Sequence, residues 1–212
     1  KLSPSSGGEW QHRLYEASLN FESETSNWRG NFGRIQAGSL AGIGYIDGGY
    51  GEVKVVSNLS IGAFAGAQAV LDVSSADLST NKIGVLAIYR DELSTRVRTQ
   101  ASLAVAGEYI EGNISREFIY QQLTHSLGSN FFLYESSDFN INRGWKQDAE
   151  GSTISLANVL VNVRYVPTRA VALNAGYDGR SRYYTWETRE TPDSLFDEAI
   201  RYGFRGGVEL SI

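Results

Sequence analysis

Apolar and polar residues alternate with a period of two along most of this chain. The alternation is clearest in five segments, residues 14–23, 96–110, 157–165, 169–180 and 200–212. In the second of these, Val97, Leu103 and Val105 share one parity, while Arg98 and Gln100 share the other. Because successive side chains of a strand point to opposite faces, each segment predicts a strand with one apolar and one polar side.

Six further segments show the same pattern more weakly. They are residues 31–38, 51–57, 59–68, 82–91, 114–126 and 130–140. Turn-forming residues separate the runs, at positions 47–49, 74–77, 111–113, 128–130 and 166–169. No amphipathic stretch of helix length stands out, and residues 192–197 predict a single helical turn at most. The pattern therefore predicts an all-β, antiparallel meander of about ten strands.

The nature of the two faces favours a membrane. Many strands span about 9–14 residues, which matches the ~9–11 of a tilted membrane strand. The apolar face is built from Ala, Val, Leu and Gly, and Tyr89, Tyr109, Tyr165 and Tyr177 stand late in their runs, as aromatic residues do at a membrane interface. A soluble barrel or sandwich also alternates, and it remains the alternative for the same pattern.

Composition excludes several classes of function. The 212 residues include no Cys, which removes disulfides, thiolate metal sites and cysteine nucleophiles. A formal charge of −5 argues against nucleic acid as a partner. No apolar run approaches 18 residues, so the sequence predicts no transmembrane helix. Residues 1–9 are rich in Ser, Gly and Pro and predict a flexible N-terminal arm, and residues 10–212 predict one β-barrel domain.

If the apolar face touches lipid, the polar face lines the interior of a barrel. The candidate lining residues are Arg96, Arg98, Gln100, Glu108, Asn162, Arg164, Asn174, Asp178, Arg180, Arg201, Arg205 and Glu209. Two interpretations stay open: a structural network that satisfies buried charge, or a constriction that selects solutes by charge. Arginine outnumbers the acidic candidates, so an open pore would show a mild preference for anions.

Enzymatic chemistry finds little support in the sequence. His12 and His125 are the only histidines, and Ser126 next to His125 would point to the opposite face of a strand. The glycine-rich pieces lack the lysine and the helix of a phosphate loop, and the acidic residues 187–198 do not match an EF-hand. The sequence predicts no enzyme, no cofactor and no metal site.

Several stretches carry a resemblance to a known family. They are residues 33–38 (GRIQAG), 42–49 (GIGYIDGG), 59–66 (LSIGAFAG), 162–167 (NVRYVP) and 173–180 (LNAGYDGR). Together they resemble porin-like outer-membrane β-barrel proteins of Gram-negative bacteria, an uncharacterised subgroup, over residues 30–212. The resemblance implies a transmembrane barrel in the bacterial outer membrane, alone or as part of a larger barrel. The final residue, Ile212, departs from the aromatic residue that usually ends such barrels.

The expected function is passive passage of small solutes or ions through a charged interior. The alternative is a structural or interaction barrel with a plugged interior, which binds a partner through its loops. Expected partners are outer-membrane lipid, small solutes or ions, and other protein chains of an outer-membrane complex.

Overall fold

The computed structural model describes residues 14–23, 27–36, 41–70, 75–91, 96–191 and 201–211. Within these ranges the chain is almost entirely β-structure. The strands are β1 (Ala17–Glu22), β2 (Trp28–Gln36), β3 (Tyr45–Val56), β4 (Leu59–Val70), β5 (Ser75–Asp91), β6 (Val97–Ile110), β7 (Asn113–Leu127), β8 (Phe131–Ile141), β9 (Ile154–Thr168), β10 (Val171–Arg180) and β11 (Arg201–Leu210). A 3-10 helix at Ala41–Ile43 precedes β3, and helix α1 (Trp145–Glu150) precedes β9.

All eleven described strands belong to one sheet whose order is the order of the sequence. Every pairing joins consecutive strands and is antiparallel, which confirms the predicted all-β meander. The strand number is eleven, so the prediction of about ten was slightly low. Within the described residues the sheet has two edges, β1 and β11, which do not pair with each other. The sheet is therefore not closed.

The two ends of the sheet differ in their connections. At the turn end, Ser57 and Asn58 join β3 to β4, and residues 169–170 join β9 to β10. At the loop end lie the 3-10 helix, α1 and residues 181–200, which join β10 to β11. The longest connections thus lie at the loop end, although Glu111 and Gly112 form a tight turn there too.

Two predicted turns prove to lie within strands. Residues 75–77 of the predicted turn at 74–77 begin β5, and the other case is the turn at 47–49. Asp47, Gly48 and Gly49 lie inside β3, where Gly48 faces Gly66 of β4. A Cβ atom on Gly48 would lie 2.2 Å from the carbonyl oxygen of Ala65, so the glycine is needed for close strand approach. Here glycine marks packing between strands, which the sequence cannot distinguish from a turn.

Other differences concern element ends. Residues 166–168 continue β9, so the turn begins only at Arg169. The six-residue helix α1 was not predicted, since its sequence WKQDAE carries no long period. Residues 1–9 and 192–197, predicted as an arm and a helical turn, lie outside the described residues.

One face of the sheet, the outer face, is apolar and exposed. Val85 is 61% exposed, Leu103 49% and Phe204 85%. Aromatic residues flank this apolar zone on the outer face. Those towards the turn end are Phe21, Trp28, Tyr89, Phe131 and Tyr165, and those towards the loop end are Tyr45, Tyr109, Phe139, Tyr177 and Tyr202. We call these two sets the aromatic girdles.

The opposite face, the inner face, is partly filled by a hydrophobic core. Phe64, Ile88 and Phe118 contribute to this core and are almost completely buried, at 3%, 0% and 1% exposure. Ile43 of the 3-10 helix packs into the same cluster. The loop-end connection thus folds onto the inner face, and apolar packing occupies the middle of strands β3–β7.

Candidate functional site: the charged inner face

An ion-pair cluster lies on the inner face near the turn end, built around Glu52 of β3. Arg29 of β2 donates to Glu52 Oε2 from Nε at 3.1 Å and from Nη2 at 2.9 Å. Arg90 of β5 donates to Oε1 at 2.8 Å, and the Tyr50 hydroxyl also donates to Oε2. One carboxylate therefore holds two guanidinium groups from strands on either side, which fixes their positions on the wall. We call these residues the Glu52 cluster.

A cavity of about 700 Å³ opens beside the Glu52 cluster. Three basic and two acidic side chains line it: Arg29, Lys54, Arg90, Glu22 and Glu52. The remaining lining residues are mostly small polar ones from the connections at the turn end. The wall is thus polar, mixed in sign and slightly basic.

A second cluster lies on the inner face near the loop end, around Arg116 of β7. Arg116 donates to Asn140 Oδ1 at 2.8 Å and reaches Asp138 Oδ2 at 3.5 Å. Its guanidinium stacks between the rings of Phe118, at 4.2 Å, and Tyr183, at 4.3 Å. We call Arg116, Asp138, Asn140, Lys146 and Tyr183 the Arg116 cluster.

Lys146 of α1 is the least compensated member of the Arg116 cluster. The residue is fully buried, and its Nζ lies 5.0 Å from the Tyr183 ring without a hydrogen-bond partner. Burial, assisted by the positive charge of Arg116, lowers the pKa of Lys146 to about 8. Burial likewise raises the pKa of Tyr183. Asp138 Oδ1, Asn140 Nδ2 and Asn142 Oδ1 are also buried without a partner, so this region concentrates unsatisfied polar atoms.

Three connections cover the loop end of the inner face. Gly42 of the 3-10 helix lies against Tyr120, since a Cβ atom there would come within 2.3 Å of the ring. Lys82 Nζ donates to the carbonyl of Ile43 at 3.3 Å. Trp145 of α1 and Trp186 pack edge to face with ring centroids 5.7 Å apart. Segments from before β3, before β9 and after β10 thus meet over β7.

The inner face of β9–β11 is different, because it is polar and open. Arg164 Nη1 donates to Glu209 Oε1 and Oε2 at 3.1 Å, and Asn174 Nδ2 donates to Glu209 Oε1 at 2.9 Å. The side chains of Arg164 and Glu209 are 46% and 59% exposed. Arg205 lies over Gly176 and donates to Asn162 Oδ1. This strip carries a hydrogen-bonded network with solvent access.

The structure groups the predicted lining residues in two places. Asn162, Arg164, Asn174, Asp178, Arg180, Arg205 and Glu209 share the inner face of β9–β11 by register, and Arg201 stands opposite Arg180. Arg98, Gln100 and Glu108 lie on the inner face of β6, where Glu108 pairs with Lys82 at 3.1 Å. Arg96 immediately precedes β6 at the turn end.

The sequence interpretation missed the Glu52 and Arg116 clusters. Glu52 and Lys54 share a parity in β3, as do Lys82 and Arg90 in β5, so a facing assignment for these weaker strands would have found part of the first cluster. No pattern pointed to Lys146, which becomes buried only because α1 folds back onto β7.

Between the aromatic girdles of the described strands the outer face holds one carboxylate, Glu135 of β8, and one imidazole, His125 of β7. Glu135 Oε1 accepts hydrogen bonds from Gln121 Nε2 at 3.2 Å and from Ser137 Oγ at 2.8 Å. Other outward charges lie outside the girdles: the Arg34–Asp47 and Arg143–Glu117 pairs at the loop end, and Asp91, beyond Tyr89, at the turn end. Their position beyond the apolar zone is what a membrane boundary requires.

The described residues do not place side chains in the arrangement that a hydrolase or a metal site needs. His125 Nδ1 contacts Thr99 Oγ1 at 2.9 Å on the outer face, whereas Ser126 faces inward opposite Arg98. The described residues contain no group of three or more His, Asp or Glu side chains placed to hold a metal ion.

Comparison of the chain with protein-family models, with curated proteins and with solved structures gives no match. Among the described residues there is also no helix with the length and hydropathy needed to cross a membrane.

Proposed function

We propose that this chain forms part of the wall of an outer-membrane β-barrel whose charged inner face allows small solutes to pass. The observation that carries the proposal is the division of one sheet into two chemically opposite faces. The outer face is apolar and exposed between two aromatic girdles, and the inner face holds networks of arginine with acidic and amide side chains. Exposed apolar area of this extent is normal against lipid and unfavourable against water.

The spacing of the girdles supports this assignment. Eight residues of β5 separate Tyr89 from Asn81, which is the register partner of Tyr109. At about 3.4 Å per residue they span roughly 27 Å along the strand. With a strand tilt of about 40°, the girdles lie roughly 20 Å apart across the membrane, near the height of an outer-membrane apolar band. The outward residues between them include Ile83, Val85 and Ala87.

The solute path in this proposal follows the polar parts of the inner face. The apolar core fills the middle of β3–β7, whereas the strip on β9–β11 remains polar and exposed. At the turn end the cavity beside the Glu52 cluster offers a second polar surface. Passage along these surfaces is diffusion and involves no chemical step.

Conductance in planar bilayers tests the proposal. The folded protein should open ion-conducting pores and, in a potassium chloride gradient, show a mild preference for chloride. Lys54→Glu reverses a charge on the cavity wall and should shift the reversal potential towards cations. Arg169→Glu makes the same charge change at the exposed β9–β10 turn and should shift the potential much less. A folded protein that never conducts would overturn the proposal.

A second function is favoured by the covered loop end. The 3-10 helix, α1 and the segment holding Trp186 meet over β7, above a packed apolar core. A barrel built in this way is plugged, and it serves as a structural or interaction barrel that presents its loops to a partner. It predicts zero conductance from a protein that has folded correctly, as judged by heat-dependent migration in gels.

A further inference from the structure

One carboxylate stands in the middle of the apolar outer face. Glu135 lies in β8, four residues from Phe131 of the turn-end girdle and four residues from Phe139 of the loop-end girdle. At about 3.4 Å per residue and a tilt of about 40°, it stands roughly 10 Å from either girdle across the membrane. Its register partners, Leu123 of β7 and Val161 of β9, are apolar. A carboxylate at this depth is costly in hydrocarbon unless it finds a partner.

Glu135 is only partly compensated within the described strands. Gln121 and Ser137 both donate to Oε1, at 3.2 Å and 2.8 Å. Oε2 accepts no hydrogen bond from the described residues, and none of the ion pairs found among them includes Glu135. The imidazole of His125 contacts Thr99 at 2.9 Å through Nδ1. One oxygen of the carboxylate is therefore available to a donor from outside the described strands.

A shallow cavity of about 430 Å³ opens on the outer face beside Glu135. Its lining includes Glu135 and Gln121 together with Ala87, Ala101 and Leu123 of the neighbouring strands. Because the two alanines have short side chains, the surface is hollow next to the carboxylate. Such a hollow accommodates a long side chain with an apolar stem and a charged end, as arginine and lysine have.

Lipid and a second copy of the chain fit this site poorly. Lipid head groups stay beyond the girdles, roughly 10 Å from Glu135, and acyl chains offer no hydrogen-bond donor. A second copy in the same orientation brings the same carboxylate to the same depth, where two negative charges repel each other. Within its described strands it offers only His125 as a cation between the girdles, and that ring has Thr99 as a partner.

We propose that the outer face around Glu135 binds a membrane-embedded segment of another protein, which is apolar apart from one arginine or lysine at the depth of Glu135. The cationic side chain enters the cavity and donates to Oε2, while apolar residues of the segment pack on β5–β8. Gln121 and Ser137 hold the carboxylate in position for this contact. The inference rests on the proposed membrane location of the outer face, and it adds a partner that the passage of solutes does not require.

Two synthetic peptides test this chemistry on the whole protein folded in lipid vesicles. Each is an apolar transmembrane helix of about 20 residues with flanking lysines, and only the central residue differs, lysine in one and leucine in the other. An acceptor dye on the peptide reports binding to a donor dye attached after Arg169→Cys, since the chain has no cysteine of its own. The central-lysine peptide should bind roughly tenfold more tightly than the central-leucine peptide.

Three variants locate the contact. Glu135→Gln removes the charge and keeps the size of the side chain, so it should abolish the preference for the central-lysine peptide. Val161→Arg supplies a cation from the strand opposite and should abolish the preference as well. Glu111→Gln makes the same chemical change as the first variant at the tight turn between β6 and β7, outside the girdles, and should leave the preference unchanged. Each variant is scored only where gel migration shows a folded protein.

Equal binding of the two peptides would overturn the inference, and so would a preference that Glu135→Gln leaves intact. Sedimentation in detergent micelles tests the second copy: a dimer that Glu135→Gln dissociates would place a copy of the chain on this face and overturn the inference too. These outcomes leave the proposed function standing, because conductance is measured separately on the same preparations. A protein that is folded and monodisperse in plain buffer would overturn both.

Discussion

At the scale of single residues, the position of Glu135 determines which valine-to-arginine substitution is the better test of contact with lipid. Val161 of β9 stands directly opposite Glu135 in the register, whereas Val105 of β6 stands between Val85 and Ile119. An arginine at the first position stands directly opposite a carboxylate, while an arginine at the second stands directly opposite two apolar side chains. The two valines therefore separate lipid exposure from local charge.

We expect Val105→Arg to destabilise the protein folded in a membrane by about 2–4 kcal/mol if Val105 faces the middle of the bilayer. Val161→Arg should cost clearly less, because the guanidinium gains Glu135 as a partner. Urea titration of folding into lipid vesicles measures both values. Equal and negligible costs for the two variants would mean that neither valine touches hydrocarbon.

Lys146 gives a prediction about pH. Arg116, Glu108, Glu117 and Glu150 surround the buried ammonium group, and burial lowers its pKa from 10.5 to about 8. Between these values the unfolded chain binds a proton that the folded chain has released, so stability rises with pH across this window. Below pH 8 the lysine is charged in both states, and the folded protein bears the full cost of burying it.

Lys146→Met removes this cost and should stabilise the protein at pH 7 by about 1–3 kcal/mol. The advantage over the unchanged protein should shrink as pH rises from 8 towards 10.5, because neutral lysine is cheaper to bury. Unfolding in urea at several pH values, in detergent micelles, gives the difference directly. A difference that stays constant across this range would mean that Lys146 does not titrate near pH 8 in the folded state.

At the scale of elements, the β3–β4 pair depends on glycine. Gly48 and Gly66 are register partners, and a Cβ atom on either would lie 2.2 Å and 2.6 Å from carbonyl oxygens of the neighbouring strand. Gly51 stands three residues further along β3 with open space around its Cβ position. A glycine-to-alanine substitution in β3 therefore meets backbone atoms at Gly48 and open space at Gly51.

Gly48→Ala should destabilise the folded protein by about 1–3 kcal/mol, because backbone atoms must move to accept the methyl group. Gly51→Ala should be neutral or stabilising by up to about 1 kcal/mol, since alanine loses less conformational entropy on folding. Equilibrium unfolding of both variants provides the comparison. If both alanines behave alike, the close approach of β3 and β4 at Gly48 is not a feature of the folded protein.

At the scale of the whole molecule, the two faces decide in which solvent the protein is stable. The outer face between the girdles exposes large apolar side chains from nearly every strand, including Ile61, Val85, Leu103 and Val208. A soluble barrel or sandwich would cover this face with a second layer, and the described strands form a single sheet without one. Under the proposed function, lipid or detergent covers this apolar face.

We expect the folded protein to be monodisperse in detergent micelles and to aggregate when the detergent is removed, because the apolar face then meets water. Size-exclusion chromatography with light scattering before and after removal measures this. The paired substitution Val85→Asn and Leu103→Asn should not restore solubility alone, given the extent of the face. A monodisperse β-structured protein in plain buffer would establish the soluble alternative.

The sequence by itself predicted the local structure of most strands and the facing of the five with the clearest alternation. Alternation at Val97–Tyr109 and Val159–Tyr165 predicts both strand and face, because a strand has a fixed period of two that needs no knowledge of neighbours. The turns at Glu111-Gly112 and Gly128-Ser129 were equally predictable, since glycine accepts the positive φ that is found at Gly112 and Gly128.

Only the tertiary structure decided what meets across strands. Glu52 joins Arg29 to Arg90, and Lys146 becomes buried against Tyr183, because register and loop folding bring together residues that lie 23 to 38 positions apart in sequence. The local sequence Asp47-Gly48-Gly49 favours a turn, but these residues form part of β3 because Gly48 packs closely against Gly66 of β4. The parity of the strands, and with it the direction of both edges, likewise depends on every pairing at once, which no local pattern records.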